Sequence, residues 1–213
     1  MLGYLALTTL ILILSLGLGA RVLALAGLAT RFAGSMRLTT ASVIGFVMLM
    51  TLIGMSGFVG LFTVWAFYII LLGVLACSYK ALWDELQKLW HTHGTIDIST
   101  ARRGLGYMLN GGFLTLITTL ISINCINIVR PFPIGWDDLG VYMNFPKILA
   151  YSESTLHQGM VLWQSFIGVG FLHGSATQAF FLNGLGGILA LATVYAGITY
   201  FLDRLASPES RER

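Results

Sequence analysis

The apolar residues fall in long blocks rather than in alternation, and the blocks set the elements. Residues 2 to 20, 39 to 58, 60 to 78, 107 to 129 and 177 to 202 are almost free of charge. Each reaches the length, about 20 residues, that a helix needs to cross a hydrocarbon core of roughly 30 Å. The pattern therefore predicts five membrane-crossing helices. The stretch 157 to 174 is apolar but shorter, and it carries Gln158, Gln164, Ser165 and His173, which predicts an interfacial or re-entrant helix instead of a sixth crossing. Leu139 to Tyr151 predicts a second short helix, broken or kinked near Pro146. Between the third and fourth spans, Trp83, Leu86, Leu89 and Trp90 recur at helical spacing opposite Asp84, Glu85, Gln87 and Lys88. That alternation predicts a helix lying on the interface, with the charges as a solvated face and Asp84 paired to Lys88. His91 to Arg103 reads as a loop, and 207 to 213 as a disordered tail.

Composition carries the pattern to a fold class. With 56% hydrophobic and 10% charged residues and a mean hydropathy of +0.82, the chain has more apolar surface than a soluble domain of this size buries. The expectation is an all-α, polytopic integral membrane protein with about five transmembrane helices, plus juxtamembrane helices in one outer loop. The first span has no basic n-region and no small-x-small cleavage site, so it is read as retained and not as a signal peptide. Three parts are expected: 1–106 with three spans and the amphipathic helix, 107–206 with a span, an outer loop and a span, and the tail 207–213.

Basic residues orient the chain. Five crossings put Arg21, Arg31, Arg37, Lys80, Lys88, Arg102, Arg103, Arg204, Arg211 and Arg213 on one side and leave only Arg130 and Lys147 on the other. A sixth crossing would dilute this split, so the positive-inside rule favours five, with the 130 to 157 loop outside a plasma membrane, most simply a bacterial inner membrane. The net charge of +3 follows from this topology signal and gives no reason to expect nucleic acid. Cys77 and Cys125 fall on opposite sides in this arrangement, which argues against a disulfide between them. No Cys/His spacing fits a zinc site, and His91 and His93 read as surface loop residues.

The outer loop holds the candidate chemistry. Asp137 and Asp138 are adjacent carboxylates in a chain with only nine acids, eight and nine residues after Val129, where they would sit near the outer headgroups. A carboxylate that accepts the proton of an attacking hydroxyl, beside cations that hold a leaving phosphate, suits glycosyl transfer from a lipid-borne donor. Arg130 and Lys147 are the local cations, and snorkelling anchors are the ordinary alternative for both. Trp136, Tyr142 and Trp163 could stack on a sugar, or simply belong to an interfacial aromatic belt.

These residues resemble a family. Gly135-Trp-Asp-Asp-Leu-Gly-Val-Tyr-Met-Asn-Phe-Pro146, followed by Trp163-Gln164 and Gly174-Ser-Ala-Thr-Gln-Ala-Phe-Phe-Leu-Asn183, is similar to the N-terminal catalytic region of the GT-C membrane glycosyltransferases, such as protein O-mannosyltransferases. The resemblance covers about residues 107 to 202. It implies a polyprenyl-phosphate sugar as donor in the cell envelope and an acid at Asp137 or Asp138 that activates the acceptor or organises a divalent cation. Substrate contacts are implied at Arg130, Trp136, Tyr142 and Lys147. Asp137 is favoured as the base and Asp138 as the N-cap of a helix starting near Leu139. Family members usually have ten or more spans. The expectation is therefore an N-terminal part of such an enzyme, or a short relative that works with a membrane protein partner. A non-catalytic scaffold or assembly protein is the alternative, and a transporter ranks below it because the spans lack central acids.

Overall fold

The computed structural model describes residues 2–32, 34–92, 112, 115, 119, 144–154 and 162–206. They form six helices: α1 (Leu2–Leu25), α2 (Gly34–Phe58), α3 (Val64–Thr92), α4 (Asn144–Ser152), α5 (Leu162–Leu172) and α6 (Ala176–Ala206). α1, α2, α6 and the Val64–Lys88 part of α3 are long and apolar enough to cross a bilayer. The protein is a helical membrane protein. The expected span 107 to 129 lies, but for three isolated positions, outside the described residues, as do the 93 to 103 loop and the tail.

Small residues decide how the helices meet. In lipid the tails are as apolar as leucine, so helices associate through close backbone packing. Ser15 and Gly19 on α1 face Ala41 and Gly45 on α2, and a Cβ on Gly19 would stand 2.6 Å from the Ala41 carbonyl carbon. Gly17 brings α1 against Ser78 and Leu82 of α3 in the same way. Around these contacts one core draws on Ile11, Leu14 and Leu18 of α1, Phe46, Leu49 and Ile53 of α2, and Phe67, Leu71 and Val74 of α3. Leu149 of α4, Phe166 and Val169 of α5, and Leu182, Leu185 and Leu189 of α6 complete it. The outward side of α3 shows Trp65, Ile69, Leu72, Tyr79, Trp83 and Trp90, as befits a surface meant for lipid.

Two expectations are corrected here. Trp83–Trp90 is not a separate helix on the interface. It continues α3 without a break, and its faces are inverted: Trp83, Leu86 and Trp90 point outward while Leu82 and Glu85 turn into the bundle. Glu85 is only 4% exposed, and it, not Asp84, pairs with Lys88 at 3.0 Å. The second correction concerns the form of the short, non-crossing helix expected at 157 to 174: of the interfacial and re-entrant alternatives, α5 does not take the one that lies on the surface. Ser165 to Gly170 are all buried in contact with α2, α4 and α6. Its 11 residues rise about 16 Å, too little to cross. Pro146 is the third residue of α4 as described, Asn144–Ser152, and the expected part of the helix before it, Leu139 to Met143, lies outside the described residues.

The α5–α6 corner is closed by local chemistry. Gly174 takes φ +68°, a left-handed conformation that glycine adopts freely. This lets the Ser175 N–H donate to the Gly170 carbonyl at 3.0 Å. Ser175 then caps α6, its Oγ accepting the Gln178 N–H at 3.1 Å. Gly170 leaves room for the backbone of Ala179.

Candidate functional site at the α4–α5 end

The ends of the helices separate by charge. Tyr68 of α3 meets His173 after α5, Thr8 of α1 meets Gln178 of α6, and the Phe62 N–H donates to the Glu153 carbonyl at 3.0 Å. The starts of α1, α3 and α6 therefore share one end with α4 and the α2–α3 turn. Arg21, Arg31, Arg37, Lys80 and Lys88 lie toward the other.

Of the six residues expected at the site, the structure places one. Lys147 is on α4, exposed beside Phe145, Ile148 and Tyr151, which are exposed as well. Arg130, Trp136, Asp137, Asp138 and Tyr142 lie outside the described residues, and so does the helix start that Asp138 was expected to cap. What the structure does show is how firmly α4 is held. Pro146 and Leu149 are buried beneath it, and Gly168 admits the Phe62 ring and the Pro146 carbonyl to α5. Glu153 closes the helix at φ +57°, donating its N–H to the Leu149 carbonyl at 2.9 Å. A left-handed glutamate costs of order 1 kcal/mol, which the hydrogen bond from Phe62 offsets.

Two pairs at this end escaped the sequence reading. The first is His173 with Tyr68. Nδ1 of His173 lies 2.8 Å from the Val169 carbonyl, which can only accept, so Nδ1 carries the proton. Nε2 then accepts the Tyr68 hydroxyl at 3.0 Å. With Phe67 edge-on at 5.6 Å, both ring nitrogens are used, and the histidine ties α3 to the α5–α6 corner. The second is Gln178, 1% exposed, whose amide donates to the Thr8 hydroxyl at 3.3 Å. Thr8 in turn donates to the Tyr4 carbonyl at 2.8 Å. Gln178→Leu is expected to lower stability by about 1 kcal/mol, read from unfolding in mixed micelles. The Ser175-Ala-Thr-Gln178 spacing of a capping box was the available signal for this corner.

Trp163 and Asn183, both in the segments that carry the family resemblance, do come together: the indole N–H donates to Asn183 Oδ1 at 3.1 Å. The ring packs against Phe46 and Phe166, with centroids 6.2 and 5.9 Å away, and Gly186 makes space for it. Trp163 is thus a packing residue between α5, α2 and α6, not an open stacking platform. Beside it, Gln164 Oε1 is buried and has no hydrogen-bond partner among the described residues.

At the opposite end Arg37, in the first turn of α2, forms an ion pair with Glu85. Lys88 is the second cation on that carboxylate, so what reads along the sequence as a solvated face is an inter-helix clamp. Cys77 is a free, exposed thiol, and Cys125 lies outside the described residues. Among the described residues no three His, Cys, Asp or Glu side chains stand together as metal ligands. In comparisons with known proteins, the chain matches no protein-family model, no curated protein and no solved structure.

Proposed function

We propose that the protein is a membrane glycosyltransferase, or the N-terminal part of one. It would transfer a sugar from a polyprenyl-phosphate donor to an acceptor hydroxyl on the non-cytoplasmic side of a bacterial inner membrane. The observation that carries this reading is the placement of Lys147. It is exposed on a helix locked to the end away from the cation cluster, and Asp138 precedes that helix by six residues in sequence (138 to 144). The cation-rich end faces the cytoplasm in this reading, so the Asp pair, Arg130 and Lys147 belong to the outer leaflet. Asp137 takes the proton of the acceptor hydroxyl as its oxygen attacks the anomeric carbon, and the polyprenyl phosphate departs with the bonding pair. One displacement inverts the configuration. Lys147 and Arg130 neutralise the phosphate as it leaves, and Trp136 and Tyr142 border the sugar.

The transporter alternative expects an ionisable group within a span. Glu85, the buried acid among the described residues, sits instead at the far end of its span and is already paired. The reading is tested with membranes holding the protein, its partners and a labelled polyprenyl-phosphate sugar. Asp137→Asn is expected to reduce transfer by about 100-fold or more with insertion unchanged, the loss of a general base. Unchanged transfer removes Asp137 from that role, and if alanine is tolerated at both aspartates the protein is a non-catalytic scaffold. Independently, Gly140→Cys in a Cys77→Ser/Cys125→Ser background is expected to react with an impermeant thiol reagent from outside. Labelling only from the cytoplasm would place the loop on the wrong face for this chemistry.

A further inference from the structure

The end of the bundle that carries Arg21, Arg31 and Lys80 holds more cations than carboxylates among the described residues. Six described cations lie there, Arg21, Arg31, Arg37, Lys80, Lys88 and Arg204, against three carboxylates, Asp84, Glu85 and Asp203. Glu85 is taken up by Arg37 and Lys88. Arg21, Arg31 and Lys80 are exposed and make no ion pair among the described residues, and the exposed Asp84 follows Lys80 by four residues in sequence. At the other end the exposed charges among the described residues are Lys147 and Glu153, one of each sign.

Depth puts these cations at one headgroup layer. Trp65 and Trp83 are both exposed on α3 and eighteen residues apart (65 to 83), about 27 Å along the axis. That separation matches the two aromatic belts that flank a hydrocarbon core of roughly 30 Å. On α1, Tyr4 and Arg21 are seventeen residues apart (4 to 21), about 26 Å. Arg31 lies in the turn beyond α1. Lys80, one turn short of Trp83, reaches the same layer by extending its stem along the helix. α3 runs on to Thr92, so its last turns stand among headgroups with Trp90 84% exposed.

We propose that this end is a docking surface for acidic phospholipids, whose phosphates are held by Arg21, Arg31 and Lys80 while Trp83 and Trp90 anchor the surrounding interface. Charge complementarity selects the occupant: a zwitterionic headgroup leaves the excess cations unneutralised, whereas an acidic headgroup neutralises them. Each cation near a membrane surface favours acidic lipid by about fivefold.

The test reconstitutes the full chain in nanodiscs of equal parts phosphatidylglycerol and phosphatidylcholine, extracts it gently and counts retained lipids by native mass spectrometry. Wild type is expected to retain phosphatidylglycerol severalfold over phosphatidylcholine at low salt, with the preference falling at molar salt as screening shortens to a few ångströms. Arg21→Gln/Arg31→Gln/Lys80→Gln is expected to abolish the preference, while the charge-conserving Arg21→Lys/Arg31→Lys/Lys80→Arg leaves it intact. Equal retention of the two lipids by wild type overturns the proposal, as does an undiminished preference in the neutralised triple variant or an equal loss in the charge-conserving one. If the neutralised triple variant does not insert, the wild-type salt series decides alone: a preference insensitive to salt overturns the proposal.

Discussion

Gly19→Leu is expected to prevent α1 and α2 from closing, the largest effect of any single substitution considered. A Cβ at Gly19 would overlap the Ala41 carbonyl and stand 2.8 Å from the Gly45 N, and one at Gly45 would stand 2.7 Å from the Gly19 N. Each clash is with backbone, so no rotamer change relieves it, and the helices must move apart along their most extensive contact. Separation also opens the layer of Ile11, Leu14, Phe46 and Leu49, where lost contacts add to the strain. Gly19→Ala is expected to cost about 3 kcal/mol, at the upper end for overpacking, and Gly19→Leu to leave no cooperative unfolding transition in an SDS titration from bicelles. The control is Gly73→Ala, where a Cβ meets nothing within 4 Å; it is expected to change stability by less than about 0.5 kcal/mol. If Gly19→Ala matches the control, the close crossing of α1 and α2 is wrong.

The second large effect belongs to the Arg37–Glu85 clamp. Glu85→Leu removes the carboxylate and leaves the Arg37 guanidinium, whose side chain is 23% exposed, without its partner at the edge of the bundle. A fully buried pair broken this way costs about 3–5 kcal/mol; partial access to headgroups and water reduces the expectation to roughly 2 kcal/mol. Arg37→Met should cost less, because Lys88 still reaches Glu85 at 3.0 Å. The double variant Arg37→Met/Glu85→Leu is expected to recover most of the loss, since two apolar side chains need no charge compensation. Both are read in the same SDS titration. Strict additivity of the two single changes would show that the residues do not act as a pair.

How much of this was legible beforehand differs by element. Four of the five expected spans were, within a few residues at most ends, because their length is dictated by the bilayer and their composition by its apolar interior; the span 107 to 129 falls outside the described residues. The continuation of α3 to Thr92 was not: hydropathy falls after residue 78, but nothing from Lys80 to Lys88 breaks a helix, and Glu85 and Lys88 found partners there. The orientation of that stretch was misread for a related reason. Amphipathic reasoning assumes water outside and apolar core inside, whereas here lipid lies outside, so Trp83 and Trp90 turn outward and Glu85 inward.

The candidate site divides in a similar way. Lys147 could be singled out because it is one of only two cations on its side of the chain, and the aspartates because acids are scarce. His173 could not be matched to Tyr68, nor Thr8 to Gln178, since 105 and 170 residues separate the partners and no local pattern encodes such a meeting. Trp163 was legible as an aromatic at the right depth, but its commitment to Asn183 and Phe46 was not.

By itself, the sequence determined that this is a helical membrane protein, where its main spans lie and that its charge is gathered toward one end. Those properties follow from the solvent, since hydrocarbon excludes charge and demands that each backbone donor be satisfied within its own helix. Tertiary structure alone decided which faces meet, that α5 is buried within the bundle, and that Glu85 is a clamp rather than a solvated charge. These depend on where glycines let backbones touch, and in lipid contact geometry, not hydrophobicity, tells one apolar face from another.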